Sequence, residues 1–292
     1  MGACLVLGAS GQIGRFLVPA LLDDGHEVHA LSRIARSARH PRLRWLQGDL
    51  HASAPDLPDI SVVFSLGPLD GLARWLASAR LDARARVIAF GSMSVDSKRD
   101  SADAGERVLA ARLLEAERAV AVVCAAQSRA WTVLRPTLIY GAGLDRSLTP
   151  IARLGRRWHV LPALPAASGL RQPVHAADLA EACLALWKRG VGQDRTYALG
   201  GGERLAFATM LARLRASLGV PCLGIPLPLR ALDVAWPLWG RLRSGGLPGR
   251  AALTRLRQDL ITDDAEARAD FGWSPRGFAP QPGTWDEVPD EY

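Results

Sequence analysis

Hydrophobic and polar positions fall into short alternating blocks along the first half of the chain. The blocks Ala3–Leu7, Glu27–Leu31, Leu43–Gln47, Ser61–Leu66, Arg86–Phe90 and Trp131–Arg135 have the length and apolar, β-branched character of strands. Between them, Gln12–Asp24, Gly71–Arg80 and Ala104–Ala126 carry helical periodicity. Runs such as Val62-Val63-Phe64 and Val87-Ile88-Ala89 are apolar on both sides, as strands buried between two helix layers should be. The pattern predicts an α/β fold, a doubly wound parallel sheet of the Rossmann type.

After Gly141 the rhythm changes. A loop and helix at Ser147–Arg157 lead to Trp158-His-Val-Leu161, then to Gln172-Pro-Val-His and a helix over Ala176–Lys188. Thr196–Leu199, the turn Gly200-Gly-Gly202 and a helix at Phe207–Leu218 follow. The tail reads as a Trp- and Arg-rich helical hairpin (Leu229–Arg243, then Gly249–Asp259), with a last short helix from about Asp263 to Phe271-Gly272. The expected division is a dinucleotide-type domain over 1–140, joined by a strand and helix from about 172–188. Residues 141–292 then form mostly a smaller C-terminal α/β lobe.

Composition narrows the class. With 49% hydrophobic and 22% charged residues the chain is an ordinary globular one. No run reaches the roughly 18 apolar residues of a membrane span, and the best stretch, Pro226–Gly240, is broken by Arg230, Asp233 and prolines. With strand-like sequence starting at Ala3, no secretory signal is expected, and Cys4, Cys124, Cys183 and Cys222 are scattered without C-x-x-C spacing. Buried thiols in a cytoplasmic protein are expected, with no metal site. The net charge of +7 comes from a chain with 34 Arg, two Lys and no Asn, which reads as codon usage. No basic patch with a reading element appears, so no nucleic-acid partner is expected.

The sharpest motif is Gly8-Ala-Ser10-Gly11-Gln12-Ile13-Gly14, placed where the first strand turns into the first helix. Glycines there allow a tight turn, close approach of backbone to a pyrophosphate, and close helix–strand packing. Free N–H groups at the helix start meet the phosphate charge. The second strand ends His29-Ala-Leu-Ser-Arg33, with Arg36 and Arg39 behind it and no carboxylate. An acid there would hold the ribose 2′-hydroxyl of NAD, whereas a guanidinium suits the 2′-phosphate of NADP. NADP is therefore expected ahead of NAD.

The chain resembles extended and atypical short-chain dehydrogenases/reductases of the NAD(P)-dependent epimerase/dehydratase family. The likeness rests on the glycine loop, Gln47-Gly-Asp49-Leu50, and Thr132-Val-Leu-Arg135-Pro136-Thr-Leu-Ile-Tyr140-Gly141. Val174-His-Ala-Ala-Asp178-Leu-Ala, Tyr197-Ala-Leu-Gly-Gly and Phe271-Gly-Trp-Ser-Pro275 extend it over nearly the whole chain. The resemblance implies a cofactor lined by Gly8, Ser10, Gly11, Gln12, Ile13, Gly14, Arg33, Arg36, Asp49, Leu50, Ser65, Leu66, Gly67 and Pro136. It also implies a small-molecule substrate, a carbonyl compound or a nucleotide sugar, for which Arg153 and Arg171 could supply cations.

Enzymes of this kind use a Tyr as acid/base, a Lys four residues later, and a Ser or Thr on the substrate oxygen. Ser92 falls at the Ser position, with Ser94 a near alternative. Anchoring on Ala116-Glu117 puts Leu109 and Leu113 at the Tyr and Lys positions; sliding by two gives Arg107 and Ala111. The only tyrosines are Tyr140, Tyr197 and Tyr292, and Lys98 and Lys188 lie far from a suitable pairing in sequence. Three readings follow. One is an oxidoreductase or isomerase using Ser92, with Tyr140 or His175 as proton source. The second is a catalytically silent NADP(H)-binding redox sensor or regulatory subunit. The third is an interfacial or structural role for Trp236, Trp239, Arg241 and Arg243, which a homodimer face would also explain.

Overall fold

The computed structural model describes residues 2–51, 56, 57, 59–228, 255–290 and 292. Seven parallel strands form the central sheet: β1 (Ala3–Leu7), β2 (Val28–Ser32), β3 (Leu43–Gln47), β4 (Ile60–Ser65), β5 (Arg86–Phe90), β6 (Trp131–Pro136) and β7 (Arg195–Leu199). Their order across the sheet is β7-β6-β5-β4-β1-β2-β3, so the chain reverses direction between β1 and β4. In such a sheet that reversal point, at the carboxyl ends of the strands, is where a dinucleotide is held.

Strand alternation feeds two cores. Cys4 and Val6 of β1, Val62 and Phe64 of β4, and Ile88 and Phe90 of β5 face helices α1 (Gly14–Asp23) and, later in the chain, Ala176–Arg189. Leu5 and Leu7, Val63, and Val87 and Ala89 face the other side, against α2 (Leu72–Ser78) and α3 (Ala104–Ala126). Each fully buried Leu, Val or Phe contributes about 1.5–3 kcal/mol, which makes this double-sided burial the main term holding the sheet. Longer helices among the remaining described residues are α4 (Leu148–Trp158), α5 (Ala176–Arg189), α6 (Phe207–Ala216) and α7 (Ala265–Phe271).

The strand joining the sheet from the second half of the chain is β7, parallel to β6 through Thr196↔Val133 and Tyr197↔Leu134. The segment around 172–188 instead supplies α5 and the two-residue strand Val174–His175, which pairs with Ile139–Tyr140 outside the main sheet. The second lobe has its own core of Tyr140, Leu148, Leu161, Met210, Leu214, Phe278 and Trp285. The first helix starts at Gly14 and leaves 11–13 in the turn, because the loop must wrap before the helix begins. The Trp/Arg hairpin expected over Leu229–Arg243 and the first part of Gly249–Asp259 lie outside the described residues; of the described remainder, Arg255 is helical and 256–258 form a turn and bend. No described helix is long and apolar enough to cross a membrane.

Candidate dinucleotide and substrate site

Two cavities meet at the carboxyl edge of the sheet. The first, about 660 Å³, is lined by Gly8 and Ser10 of the glycine loop, Ser32, Arg33 and Arg36 after β2, Asp49 and Leu50 after β3, and Gly67 after β4. The glycine pattern is needed sterically. Gly8 sits at φ +83°, and a Cβ on Gly14 would lie 2.0 Å from the Ala9 carbonyl oxygen. No side chain caps the start of α1. The backbone N–H groups of Gln12 and Ile13 make no hydrogen bond among the described residues, and Gln12 Oε1 and Ser65 Oγ are buried without partners. Open N–H groups at a helix start beside unsatisfied buried polar atoms fit a dinucleotide phosphate chain. Leu66 is half-buried against the β1–α1 core beside Gly67.

The second cavity, about 790 Å³, lies over β5 and β6 and against the second lobe. Gln12, Ser92, Ser94, Lys98, Pro136 and Ile139 line it, and Arg146 lines both cavities. Ser92 follows β5, and its Oγ accepts a hydrogen bond from the Ser94 N–H at 3.1 Å, tying the turn that leads into the short helix Ser94–Ser97. The hydroxyl thus both holds the turn and forms part of the cavity wall. Pro136, at the end of β6, completes the floor.

The other two proton sources raised from sequence are placed elsewhere. Tyr140 is 2% exposed in the second-lobe core, packed against His175, Phe278 and Trp285, with its hydroxyl toward the Gly277 carbonyl. Burial raises its phenol well above the ordinary value. Ile139 faces the cavity, so the next residue along the strand points away. His175 Nδ1 accepts the Ala177 N–H at the start of α5, and its ring lies between Phe16 and Tyr140. Burial, helped by Arg276, lowers its pKa to about 4. Neither side chain is among those that line the two cavities.

Leu109 is 38% exposed and Leu113 half-buried on α3, and neither is among the residues that line the two cavities. Arg171 is buried and donates to the carbonyls of Leu170, Gln258 and Arg255; Arg153 donates to the Gly143 carbonyl. Their guanidiniums are occupied internally. Arg33 borders the first cavity and is exposed, while Arg36 lies over Trp45 and pairs with Asp290.

Sequence reasoning missed that last contact and its neighbours. Buried Arg15 on α1 binds the Ser10 carbonyl, Glu287 and the Val288 carbonyl, and the Tyr292 hydroxyl reaches the Ala9 carbonyl. Glu287, Val288 and Tyr292 therefore clasp the glycine loop and the start of α1 across separations of more than 270 positions, which leave no local signal. Lys98 was likewise passed over, because its link to Ser92 runs through a turn and not through helical spacing from α3. Among the described residues there is no metal-type cluster, and the four cysteines are free. Burial raises the Cys4 and Cys124 thiols to about 12 and about 11, which makes them inert packing groups.

Together these features describe a Rossmann-type fold with a glycine-loop groove at the carboxyl edge of its sheet. Residues 8–149 match the family model described as NAD(P)H-binding. The chain is 22% identical over 161 residues to UDP-glucose 4-epimerase of Vibrio cholerae, a match covering 55% of this chain and 47% of that protein, about half its length. Among solved structures, MoeE5 in complex with UDP-glucuronic acid and NAD superposes with a TM-score of 0.69 at 20% identity, covering 98% of both chains. UDP-glucuronic acid 4-epimerase from Bacillus cereus in complex with NAD gives 0.69 at 15% identity, also covering 98% of both chains. The Bordetella bronchiseptica enzyme WbmF in complex with NAD+ and UDP gives 0.68 at 16% identity, covering 98% of this chain and 91% of WbmF. This chain shares its overall fold with these three structures.

Proposed function

We propose that this protein is an NADP-dependent oxidoreductase or isomerase acting on a carbonyl or secondary alcohol of a small substrate, with nucleotide sugars the favoured class. The observation that carries the reading is that the glycine-loop groove and a second cavity walled by Ser92 and Ser94 share Arg146 in their lining. A dinucleotide laid over the reversal point between β1 and β4 puts its adenosine by Arg33 and Asp49 and its nicotinamide in that second cavity. Gly8, Ser10, Gly11, Gln12, Ile13 and Gly14 would hold the pyrophosphate. Asp49 and Leu50 would border the adenine, and Ser65, Leu66, Gly67 and Pro136 the path to the nicotinamide. When bound, the cofactor supplies the hydride chemistry. Ser92 would hydrogen-bond the reacting oxygen, and exposed Arg146, unpartnered among the described residues, would meet phosphate charge.

Support for NADP comes from Arg33 and Arg36 in the first cavity and from the lack of a carboxylate on β2 itself. The UDP-glucuronic acid and UDP-glucose complexes of the structural relatives support the substrate class. A redox-sensor reading is favoured by one specific observation, the absence of any acid/base group at Leu109 and Leu113. The test is a fluorescence titration with NADPH, NADP+, NADH and NAD+, then incubation of the NADP+-loaded protein with UDP-glucose and UDP-glucuronic acid. Tight NADP(H) binding with product formation supports the enzyme. Binding with a large NADPH/NADP+ gap and no product favours the sensor, and no binding sinks both.

A further inference from the structure

The second cavity contains one group able to replace the missing acid, and elimination among its described lining residues identifies it. Asp145 accepts hydrogen bonds from the N–H groups of Ser147, Leu148 and Thr149 and from two hydroxyls, so its carboxylate is consumed in capping α4. Asp96 is held by Arg99 and Arg135, and Asp259 accepts the Leu170 N–H at 2.7 Å. Ionised carboxylates have no proton to give. Arg146, Arg171 and Arg255 are charged but do not release protons near neutral pH. Lys98 remains, half-buried in the cavity wall and with no hydrogen bond or ion pair on its ammonium among the described residues.

Its placement is local and well determined. The Lys98 N–H bonds the Ser94 carbonyl at 3.2 Å, closing the short helix, and Ser94 and Lys98 stand four residues apart on one face. Ser94 in turn is fixed by Ser92. The only other lysine, Lys188, pairs with Asp24 at the surface, where an arginine would serve equally. We propose, on the dinucleotide reading above, that Lys98 is the acid/base residue of this site, acting directly or through the Ser94 hydroxyl. In the reductive direction the substrate carbon takes a hydride from the reduced dinucleotide and the C=O π bond breaks. The oxygen takes a proton from the Lys98 ammonium. The products are the alcohol, the oxidised dinucleotide and a neutral amine that regains its proton from water.

The proposal has a readout that needs no turnover. The nicotinamide ring carries positive charge only when oxidised, so a nearby ammonium weakens NADP+ relative to NADPH. Lys98→Met should narrow that affinity ratio by about threefold to tenfold, while Lys98→Arg and Lys188→Met leave it unchanged. Acetic anhydride labelling read by peptide mass spectrometry should show NADPH shielding Lys98, with Lys188 as the internal reference. With UDP-glucose, UDP-glucuronic acid or phenanthrenequinone as the probe, Lys98→Arg should lose turnover by about 10²–10⁴ despite its retained charge. Dinucleotide binding with an unchanged ratio in Lys98→Met and no shielding overturns the placement of Lys98 alone. Wild-type turnover in Lys98→Arg overturns its role as the acid, as does dinucleotide binding with no turnover of any probe. No dinucleotide binding overturns the underlying reading as well.

Discussion

Glu117 on α3 and Arg135 on β6 form the pair that seats Ser92, and breaking it should be felt in both stability and the site. Arg135 Nε lies 3.1 and 3.0 Å from the two Glu117 oxygens and Nη2 lies 2.5 Å from one of them. The Glu117 side chain is 6% exposed and that of Arg135 17%. Glu117 Oε1 also fills the space where a Cβ on Gly91 would stand, at 2.2 Å, so the carboxylate positions the residue just before Ser92. Burial alone would lower the Arg135 pKa; the Glu117 hydrogen bond and charge, with Asp96, raise it overall. Removing one member of a fully buried pair costs about 3–5 kcal/mol. Arg135 keeps its Asp96 contact at 3.2 Å and some solvent, which brings the expected cost of Glu117→Ala to about 2–3 kcal/mol.

For 292 residues the unfolding entropy near the midpoint is about 0.6 kcal/mol/K, so Tm should fall by about 4 °C. Urea and thermal melts measure the loss, and dinucleotide titration measures displacement of the Gly91–Ser92 turn. Replacing both partners by apolar residues, Glu117→Leu with Arg135→Met, should recover about 2 kcal/mol relative to the sum of the single losses. A Glu117→Ala protein within about 0.5 kcal/mol of wild type, or strictly additive single and double variants, would refute the reasoning.

Further expectations follow from other contacts. Gly14→Ala forces a Cβ to 2.0 Å from the Ala9 oxygen and should cost about 1–3 kcal/mol together with dinucleotide binding. Gly67→Ala, with nothing within 4 Å of the added carbon, should leave Tm unchanged. His175 is neutral in the fold with a pKa of about 4, below its ordinary 6.5. Its contribution is thus complete above about pH 6.5 and lost as pH falls toward 4, because the unfolded chain binds the proton more readily. Urea midpoints for wild type should drop between pH 7 and pH 5 more than those of His175→Asn, which caps α5 without titrating; parallel curves would refute it. Asp290 occupies the Arg36 guanidinium, so Asp290→Asn should raise NADPH affinity severalfold and leave NADH unchanged, as read by fluorescence titration.

Legibility in the sequence tracked the range of the interactions involved. The six strands from Ala3 to Pro136 and the helices between them announced themselves, since each is specified by its own run of apolar residues. The glycine loop was equally legible, because its chemistry lies in backbone freedom that only glycine confers. The sheet's seventh strand was harder. Arg195–Leu199 and Val174–His175 look alike locally, and only packing against β6 decides which one joins. Tyr140 misled because a strand-end residue beside Pro136 seems close to the cavity, whereas the pleat turns it into the second-lobe core. The clasp of Glu287, Asp290 and Tyr292 on Arg15, Arg36 and Ala9 could not be read at all. Single charged residues carry no address for partners so far along the chain.

Helix α3 carries no tyrosine and no lysine, which has a physical corollary at the site. Leu109 is solvent-exposed and lies outside the lining of the second cavity. Polar groups of the second cavity instead come from the turn after β5 and from the second lobe: Ser92, Ser94 and Lys98 on one side, Arg146 and Ser147 on the other. An acid delivered from the β5 turn approaches the reacting oxygen from a different direction than one delivered from α3. A substrate must then be held by the second lobe in a correspondingly different orientation. Substrate choice in this protein should therefore depend on the wall formed by Leu148, Ile151, Phe207 and Met210, and much less on α3.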